Sequence, residues 1–412
     1  MKFERYHISR AVKENLNGLG FKRPTDIQYK AIPSILKGED VLAVAQTGTG
    51  KTAAFAIPLI DMIQRSKRSK RVTGIRCLVM VPTRELAAQI GTVFDQLSKK
   101  TRVRTLAIHG GVDQDPQIRR LVKGVDVLVA TPGRMFDLIH QGVIRLGNLD
   151  FLVLDEADQM LDLGFIEDIK AVKKRLKKKH QTLFFSATIN RRIKKLAFSQ
   201  VKSNAIRIQI SPDDPVSKNV SHFVIPVQMD DKRFFLRRFI NDHPEDRILV
   251  FVRTRVRAER VSNALKRGGI DSFTLHGEKD QDQRSRVMAA YKAGENNILI
   301  ATDVSARGID IPGIEYVINY DLPEAAENYV HRVGRTGRGR SKGTAVTFCS
   351  EEEKDRLDQI QAFLNKRIET IPVGKKEYRD IQRFSGNTQS IPELIREQEA
   401  WEKKKKKRKK KR

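Results

Sequence analysis

Cysteine is nearly absent from this 412-residue chain; Cys77 and Cys349 are the only two, each inside an apolar stretch that reads as a strand. A pair so placed offers neither a disulfide framework nor a thiolate metal cage, and both read as small buried hydrophobes in a reducing compartment. Histidine is scarce as well, with eight residues and no ligand spacing. Long apolar runs are missing, and none approaches the roughly 20 residues that a membrane helix needs. The first residues, Met1-Lys-Phe-Glu-Arg5, lack the apolar core of a secretory signal. No membrane partner is expected; the localisation expected is cytoplasmic, with the terminal Lys/Arg block readable as a nuclear signal instead, and a monomer is expected.

Acidic residues are the other shortage: 50 Asp and Glu face 79 Lys and Arg, a formal net charge of +29. A polyanion is the default partner for such a chain, because each neutralised phosphate releases counterions. An anionic membrane surface is the rival, but no strongly amphipathic basic helix supports it, and nucleic acid is favoured.

Hydrophobic residues, at 39%, suit a globular protein. Apolar runs recur at Val41–Ala45, Cys77–Val81, Val125–Ala130, Phe151–Leu154 and Thr182–Phe185, with helical patterns between them. After residue 240 they restart at Ile248–Val252, Phe273–Leu275, Ile298–Ala301, Tyr316–Asn319 and Ala345–Phe348. Such alternation predicts α/β domains with parallel sheets covered on both faces. The organisation expected is a first domain over 1–208, a linker over 209–219, a second domain over 220–370 and a tail over 371–412. The linker reading rests on Ser211-Pro-Asp-Asp-Pro-Val-Ser-Lys-Asn219, with its two prolines. Residues 403–412 are all Lys or Arg, so the end of the tail is expected to be disordered. No close sequence repeat relates the two domains.

Two segments of the first domain carry nucleotide chemistry. Ala45-Gln-Thr-Gly-Thr-Gly-Lys-Thr52 follows an apolar strand. In such a loop Thr47, Gly48, Thr49 and Gly50 expose backbone N–H groups to phosphates, Lys51 meets the terminal phosphates, and Thr52 offers a hydroxyl to magnesium. Ala45 stands where the general pattern has its first glycine. Val153-Leu-Asp-Glu-Ala-Asp158 ends another strand about a hundred residues later. There Asp155 is expected to hold Mg2+, largely through water, and Glu156 to orient the attacking water.

These residues resemble a family. Asp155-Glu-Ala-Asp158 spells the name of the DEAD-box RNA helicases, and the likeness runs from about Phe3 to about residue 370, with the bacterial RhlE-like subgroup most similar. It implies two tandem RecA-like P-loop domains, ATP and Mg2+ as cofactors, and RNA as partner. Phe3, Phe21 and Gln28 resemble the adenine-reading segment. Pro82, Thr83, Arg84, Gly110, Gly111, Thr131 and Arg134 match RNA-facing segments of the first domain, and Thr302 and Gly308 those of the second. Asp158, Ser186, Thr188, His331 and Arg332 would couple hydrolysis to RNA. Asp310 would reach the ribose, and Arg335 and Arg338 would be arginine fingers. Phe251-Val-Arg253 and Gln281-Asp-Gln-Arg284 match weaker motifs.

The function implied is RNA-stimulated ATP hydrolysis that locally unwinds or remodels short duplexes or RNA–protein complexes, in ribosome assembly or RNA turnover. An ATP-gated RNA clamp with little unwinding, and a DNA translocase, are the alternatives. Ribosomal particles or RNA-decay proteins are the further partners expected.

Overall fold

The computed structural model describes residues 2–46, 48–69, 74–210, 216, 219–306, 311, 313–337 and 341–383. Two seven-stranded sheets organise them. The first contains β1 (Val41–Val44), β2 (Cys77–Met80), β3 (Thr105–Ile108), β4 (Val127–Ala130), β5 (Phe151–Leu154), β6 (Gln181–Ser186) and β7 (Ile206–Gln209). The second contains β8 (Val220–Pro226), β9 (Ile248–Val252), β10 (Phe273–Leu275), β11 (Ile298–Thr302), β12 (Tyr316–Asn319), β13 (Gly343–Cys349) and β14 (Glu369–Thr370).

Every ladder is parallel, for example Val41 opposite Leu183 and Ile248 opposite Ile298. Central strands such as β1, β2, β5 and β9 are buried along their whole length. That burial explains why they read as unbroken apolar runs rather than as alternations. Cys77 and Cys349 are free and buried in β2 and β13. No helix among the described residues is long and apolar enough to cross a membrane.

The order of the first sheet is β3-β4-β2-β5-β6-β1-β7 and that of the second is β10-β11-β9-β12-β13-β8-β14. Each position in the second is seven strands on from its counterpart. The two domains therefore share one topology without a visible sequence repeat, because the topology needs only the apolar pattern and not particular side chains. Four strands escape the sequence pattern: β3, β7, β8 and β14. β3, β7 and β14 are sheet edges, and β8 is covered beyond β13 only by the two-residue β14. β7 and β8 mix buried and exposed positions, which erases the apolar run.

Regular structure also continues past residue 370. The helix Lys375–Arg383 lies on the helix Lys232–Asp242 through Tyr378, whose ring is 5.0 Å from that of Phe235. The Tyr378 hydroxyl donates to Asp231 (2.8 Å) and accepts from the Gln228 N–H (3.0 Å). The expected tail therefore begins with a docked helix, held by Tyr378, Ile381 and the Gln382 amide on Asp231, too few apolar positions to register as a pattern. The basic block at 403–412 lies outside the described residues, as does most of the expected linker.

A buried ion pair braces the second domain. Lys232, at 0% exposure, pairs with Glu353 and donates to the Tyr320 carbonyl at 2.8 Å. Glu353 also accepts from the Leu322 N–H at 3.3 Å. Lys232→Met would remove the buried ammonium and leave that carboxylate only the half-buried Arg253 guanidinium, 3.4 Å from its other oxygen. The expected loss is about 3–5 kcal/mol, read by urea denaturation, and pairing it with Glu353→Leu should recover most of it.

Candidate nucleotide and nucleic-acid site

The phosphate loop turns between β1 and the helix Lys51–Ser69, with Gly48 and Gly50 at φ of +79° and +91°. Side chains rarely adopt this backbone conformation, so glycine is required at both turns. A Cβ on Gly50 would also lie 2.5 Å from Gln28 Nε2. Thr49 donates its hydroxyl to the Gln46 carbonyl (2.8 Å), and the buried Lys51 ammonium donates to the Ala45 carbonyl (2.8 Å). Thr52, one residue into the helix, is half-buried.

The expected adenine-reading residues meet this loop. Gln28 donates to the Gly50 carbonyl at 3.1 Å and accepts from the Thr25 N–H at 3.1 Å, so its amide ties the helix Asp26–Leu36 to the loop. Phe21 is half-buried, and Phe3 sits behind it at 4% exposure with ring centroids 6.1 Å apart. Phe3 therefore buttresses Phe21 from the core.

Asp155 and Glu156 stand at the end of β5, beside β6 and one strand from β1 in the sheet. Burial pushes the Asp155 carboxyl up to about 7, with Lys51 opposing and Glu156 adding to the rise. A cation is the natural complement of such a group, since it would restore the ionised form. Glu156 adopts φ 51°, ψ 47°, a left-handed conformation rare for a side-chain-bearing residue. Its Oε2 is buried without a hydrogen-bond partner. Within this pocket that orphaned acceptor fits a bound water, and the donor set of Thr52 and Asp155 fits magnesium.

Asp158 meets the other residues expected to couple hydrolysis to RNA. One of its oxygens accepts from the Ala187 N–H (3.1 Å), the Thr188 N–H (2.9 Å) and the Thr188 hydroxyl (3.0 Å), while Ser186 donates to the Thr188 carbonyl (2.8 Å). His331 of the second domain approaches Asp158 to 3.6 Å. Burial alone would raise the Asp158 carboxyl, but His331, Lys51 and Thr188 hold it below the ordinary value. Arg332 takes no part in this cluster. It is 1% exposed and turns inward to Asp303 (2.5 and 2.8 Å), the Asp321 carbonyl (2.6 Å) and the Phe251 ring (5.1 Å).

Arg335 is buried, and its Nε donates to the His331 carbonyl at 3.1 Å. Thr47, Gly308, Asp310 and Arg338 lie outside the described residues.

The expected RNA-facing segments of the first domain converge at the ends of β2, β3 and β4, three neighbours in the sheet. Pro82 and Thr83 are buried, and Thr83 caps the helix Arg84–Ser98 by accepting from the Leu86 N–H at 3.3 Å. Gly111 has φ +79°, and a Cβ there would strike the Arg84 guanidinium at 1.9 Å, so Arg84 lies flat on Gly110–Gly111. Thr131 stands buried before the helix Pro132–His140, and Arg134 donates to the Val112 carbonyl at 2.9 Å. In the second domain Thr302, also buried, donates to Ser305 at 3.2 Å.

Sequence reasoning missed the contacts that join the domains. Arg284 pairs with Glu85 at 2.5 Å, and Asn190 meets Glu327 at 3.5 Å. Arg253 donates its backbone N–H to Asp321 at 2.9 Å and its guanidinium reaches Glu353 at 3.4 Å. The signal for Arg284–Glu85 was two opposite charges inside motifs 199 positions apart, which no local pattern can pair.

Comparison with known proteins agrees with this architecture. Residues 25–196 match the DEAD/DEAH box helicase family and residues 231–340 the helicase conserved C-terminal domain. The DEAD-box ATP-dependent RNA helicase CshA of Bacillus cereus is 39% identical over 369 residues, 90% of this chain and 69% of that protein. The structure of S. cerevisiae Dbp5 bound to RNA and ADP BeF3 superposes with a TM-score of 0.81 at 27% identity, covering 93% of this chain and 99% of that one. Mss116p bound to ssRNA and AMP-PNP gives 0.82 at 25% identity, covering 94% and 82%. With its two sheets, phosphate loop and Asp155-Glu-Ala-Asp158 in these positions, the chain belongs to the DEAD-box ATP-dependent RNA helicases.

Proposed function

We propose that ATP and RNA together close the two domains of this chain, and that closure separates the strands of a short RNA duplex before hydrolysis reopens the cleft. The observation that carries the reading is the divided site: Lys51, Asp155 and Glu156 belong to the first domain, and His331 and Arg335 to the second. The likeness to Dbp5 with RNA and ADP BeF3, over both domains, supports a closed arrangement of this kind.

In this reading Gly48, Thr49 and Gly50 present backbone donors to the phosphates of ATP, Lys51 leaves the Ala45 carbonyl for the γ-phosphate, and Phe21 and Gln28 select adenine. Thr52 and Asp155 would hold Mg2+, which when bound would supply charge neutralisation at the phosphates. Glu156 accepts the proton of the attacking water as the water's oxygen bonds to the γ-phosphorus and the ADP oxygen leaves. Arg335, with Arg338, stabilises the charge that develops on the γ-phosphate. Arg84, Gly110, Gly111, Thr131 and Arg134, with Thr302 and Gly308, hold the sugar–phosphate backbone of RNA. Asp158 reports the state of the site to Ser186–Thr188 and His331, while Arg332 holds Asp303 next to Thr302.

Closure needs differential affinity of the two arrangements for ligands. Arg284 and Glu85, each about one-seventh exposed, add to the closed state. Arg284→Glu should raise the RNA concentration needed for half-maximal ATPase stimulation about tenfold, and Glu85→Arg in the same chain should restore it. A strand-displacement assay beside RNA binding tests the proposal: displacement that requires ATP supports it, and ATP-dependent binding without displacement makes the protein a clamp. We place the chain beside the RhlE-like helicases, working as a cytoplasmic monomer on ribosomal particles or with RNA-decay proteins.

A further inference from the structure

Outside the terminal ten-residue basic block the formal charge of the chain is +19, and +13 of it arises from residues 169–210, which contain thirteen Lys or Arg and no acidic residue. The expected RNA face at β2, β3 and β4 uses none of these. They lie on the helices Ile166–Arg175 and Arg191–Gln200, the turn between the first of these and β6, and the segment around β7. Both helices cover one face of the first sheet. Ile169 and Val172 of one and Ile193, Leu196 and Ala197 of the other enter the same core. Lys173 links them by donating to the Gln200 carbonyl at 3.1 Å.

Their outward faces are cationic beyond the first turn of the first helix, where the exposed Glu167 pairs with Lys170 at 2.7 Å. Lys174, Lys177, Arg191, Arg192, Lys194 and Lys195 are all exposed. Phe198 is 41% exposed among them, with the Arg207 guanidinium 4.7 Å over its ring. Where a positive side chain in this region meets an acid, the acid comes from outside it, as in Lys178 with Asp150 and Lys202 with Asp40. Concentrated like charge opposes folding, so its placement on one face calls for a polyanion. The helices follow β5 and β6, in the other half of the sheet from Gly110–Gly111 after β3. Asn190, which caps the second helix and meets Glu327, brings one end of the basic face to the edge of the interdomain cleft.

We infer that this face is a second RNA-binding surface, one that holds the phosphate backbone of duplex RNA flanking the strand engaged between the domains. A surface of point charges follows phosphates and carries no means of reading bases. Contact there is independent of nucleotide, because both helices belong to one rigid domain. It would keep a structured RNA attached while the cleft opens. The inference rests on RNA being the substrate, but not on the assigned catalytic roles.

The test is the full-length quadruple variant Lys174→Glu, Lys177→Glu, Lys194→Glu, Lys195→Glu, compared with the parent. Three probes are used without nucleotide: a single-stranded RNA, the same RNA carrying a flanking duplex, and vesicles of anionic phospholipid. Expected results are duplex-flanked RNA bound about tenfold more weakly, and a salt dependence of log K shallower by about 2–4, near 0.9 per lost duplex phosphate contact. ATPase stimulation by saturating single-stranded RNA and the melting temperature should stay at parental values. Unchanged affinity and salt slope for the flanked duplex would overturn the inference. So would loss of vesicle binding with RNA binding intact, which would assign the face to a membrane. Failure of single-stranded RNA to stimulate the parent would instead count against the substrate reading itself.

Discussion

Glu156→Gln should bind ATP and RNA at close to parental affinity and turn ATP over about 10²–10⁴-fold more slowly, the range for loss of a positioned general base. The substitution keeps the size and planarity of the side chain and removes its ability to take a proton. It also removes a charge from a position where Oε2 is buried and without a hydrogen-bond partner, so stability should hold or rise. Stability therefore separates this variant from a damaged protein. Lys51→Ala is a useful contrast, because it should weaken ATP binding as well as turnover. Steady-state ATPase with saturating RNA, alongside nucleotide titration, distinguishes the two. A Glu156→Gln turnover within about tenfold of the parent would remove Glu156 from its assigned role.

Arg335→Ala should slow RNA-stimulated hydrolysis by about 10³–10⁵, the contribution of an arginine finger. The loss should appear in kcat rather than in ATP affinity, because the guanidinium meets charge that develops only in the transition state. Lysine should not rescue it, since a point charge lacks the planar fork of the guanidinium. Arg335 is already held, through Nε, by the His331 carbonyl, and His331 faces Asp158. Arg335 and His331 thus belong to one segment, and a shift of His331 would move both the Arg335 contact and the approach to Asp158. Arg335→Ala turnover near the parental rate would leave the role to Arg338 alone.

Much of this was legible in the chain because phosphate chemistry constrains short stretches. Gly48, Gly50 and Lys51 must be adjacent to serve one loop, and Asp155 and Glu156 must share a strand end. Buried central strands announce themselves as apolar runs. Edge and outer strands such as β7 and β8 do not, since half their residues face water. The docked helix Lys375–Arg383 depends on Tyr378 reaching Asp231, a contact across 147 positions. The setting of Arg332 was unforeseen: its partners Asp303, Asn319 and Asp321 are brought together by β11 and β12. The shared strand order of the two sheets was invisible for the opposite reason, as many unrelated apolar sequences satisfy it.

The central claim is that one closed state binds ATP and RNA jointly. Its most direct test is reciprocal titration: RNA affinity with and without a non-hydrolysable ATP analogue, and affinity for that analogue with and without RNA. Linkage requires the two factors to be equal, and a coupling of about 1–3 kcal/mol makes each about 5–150. Equal factors in that range, reduced in Arg284→Glu and restored by Glu85→Arg, are the predicted result. Factors of one, with RNA and nucleotide binding independently, would contradict it.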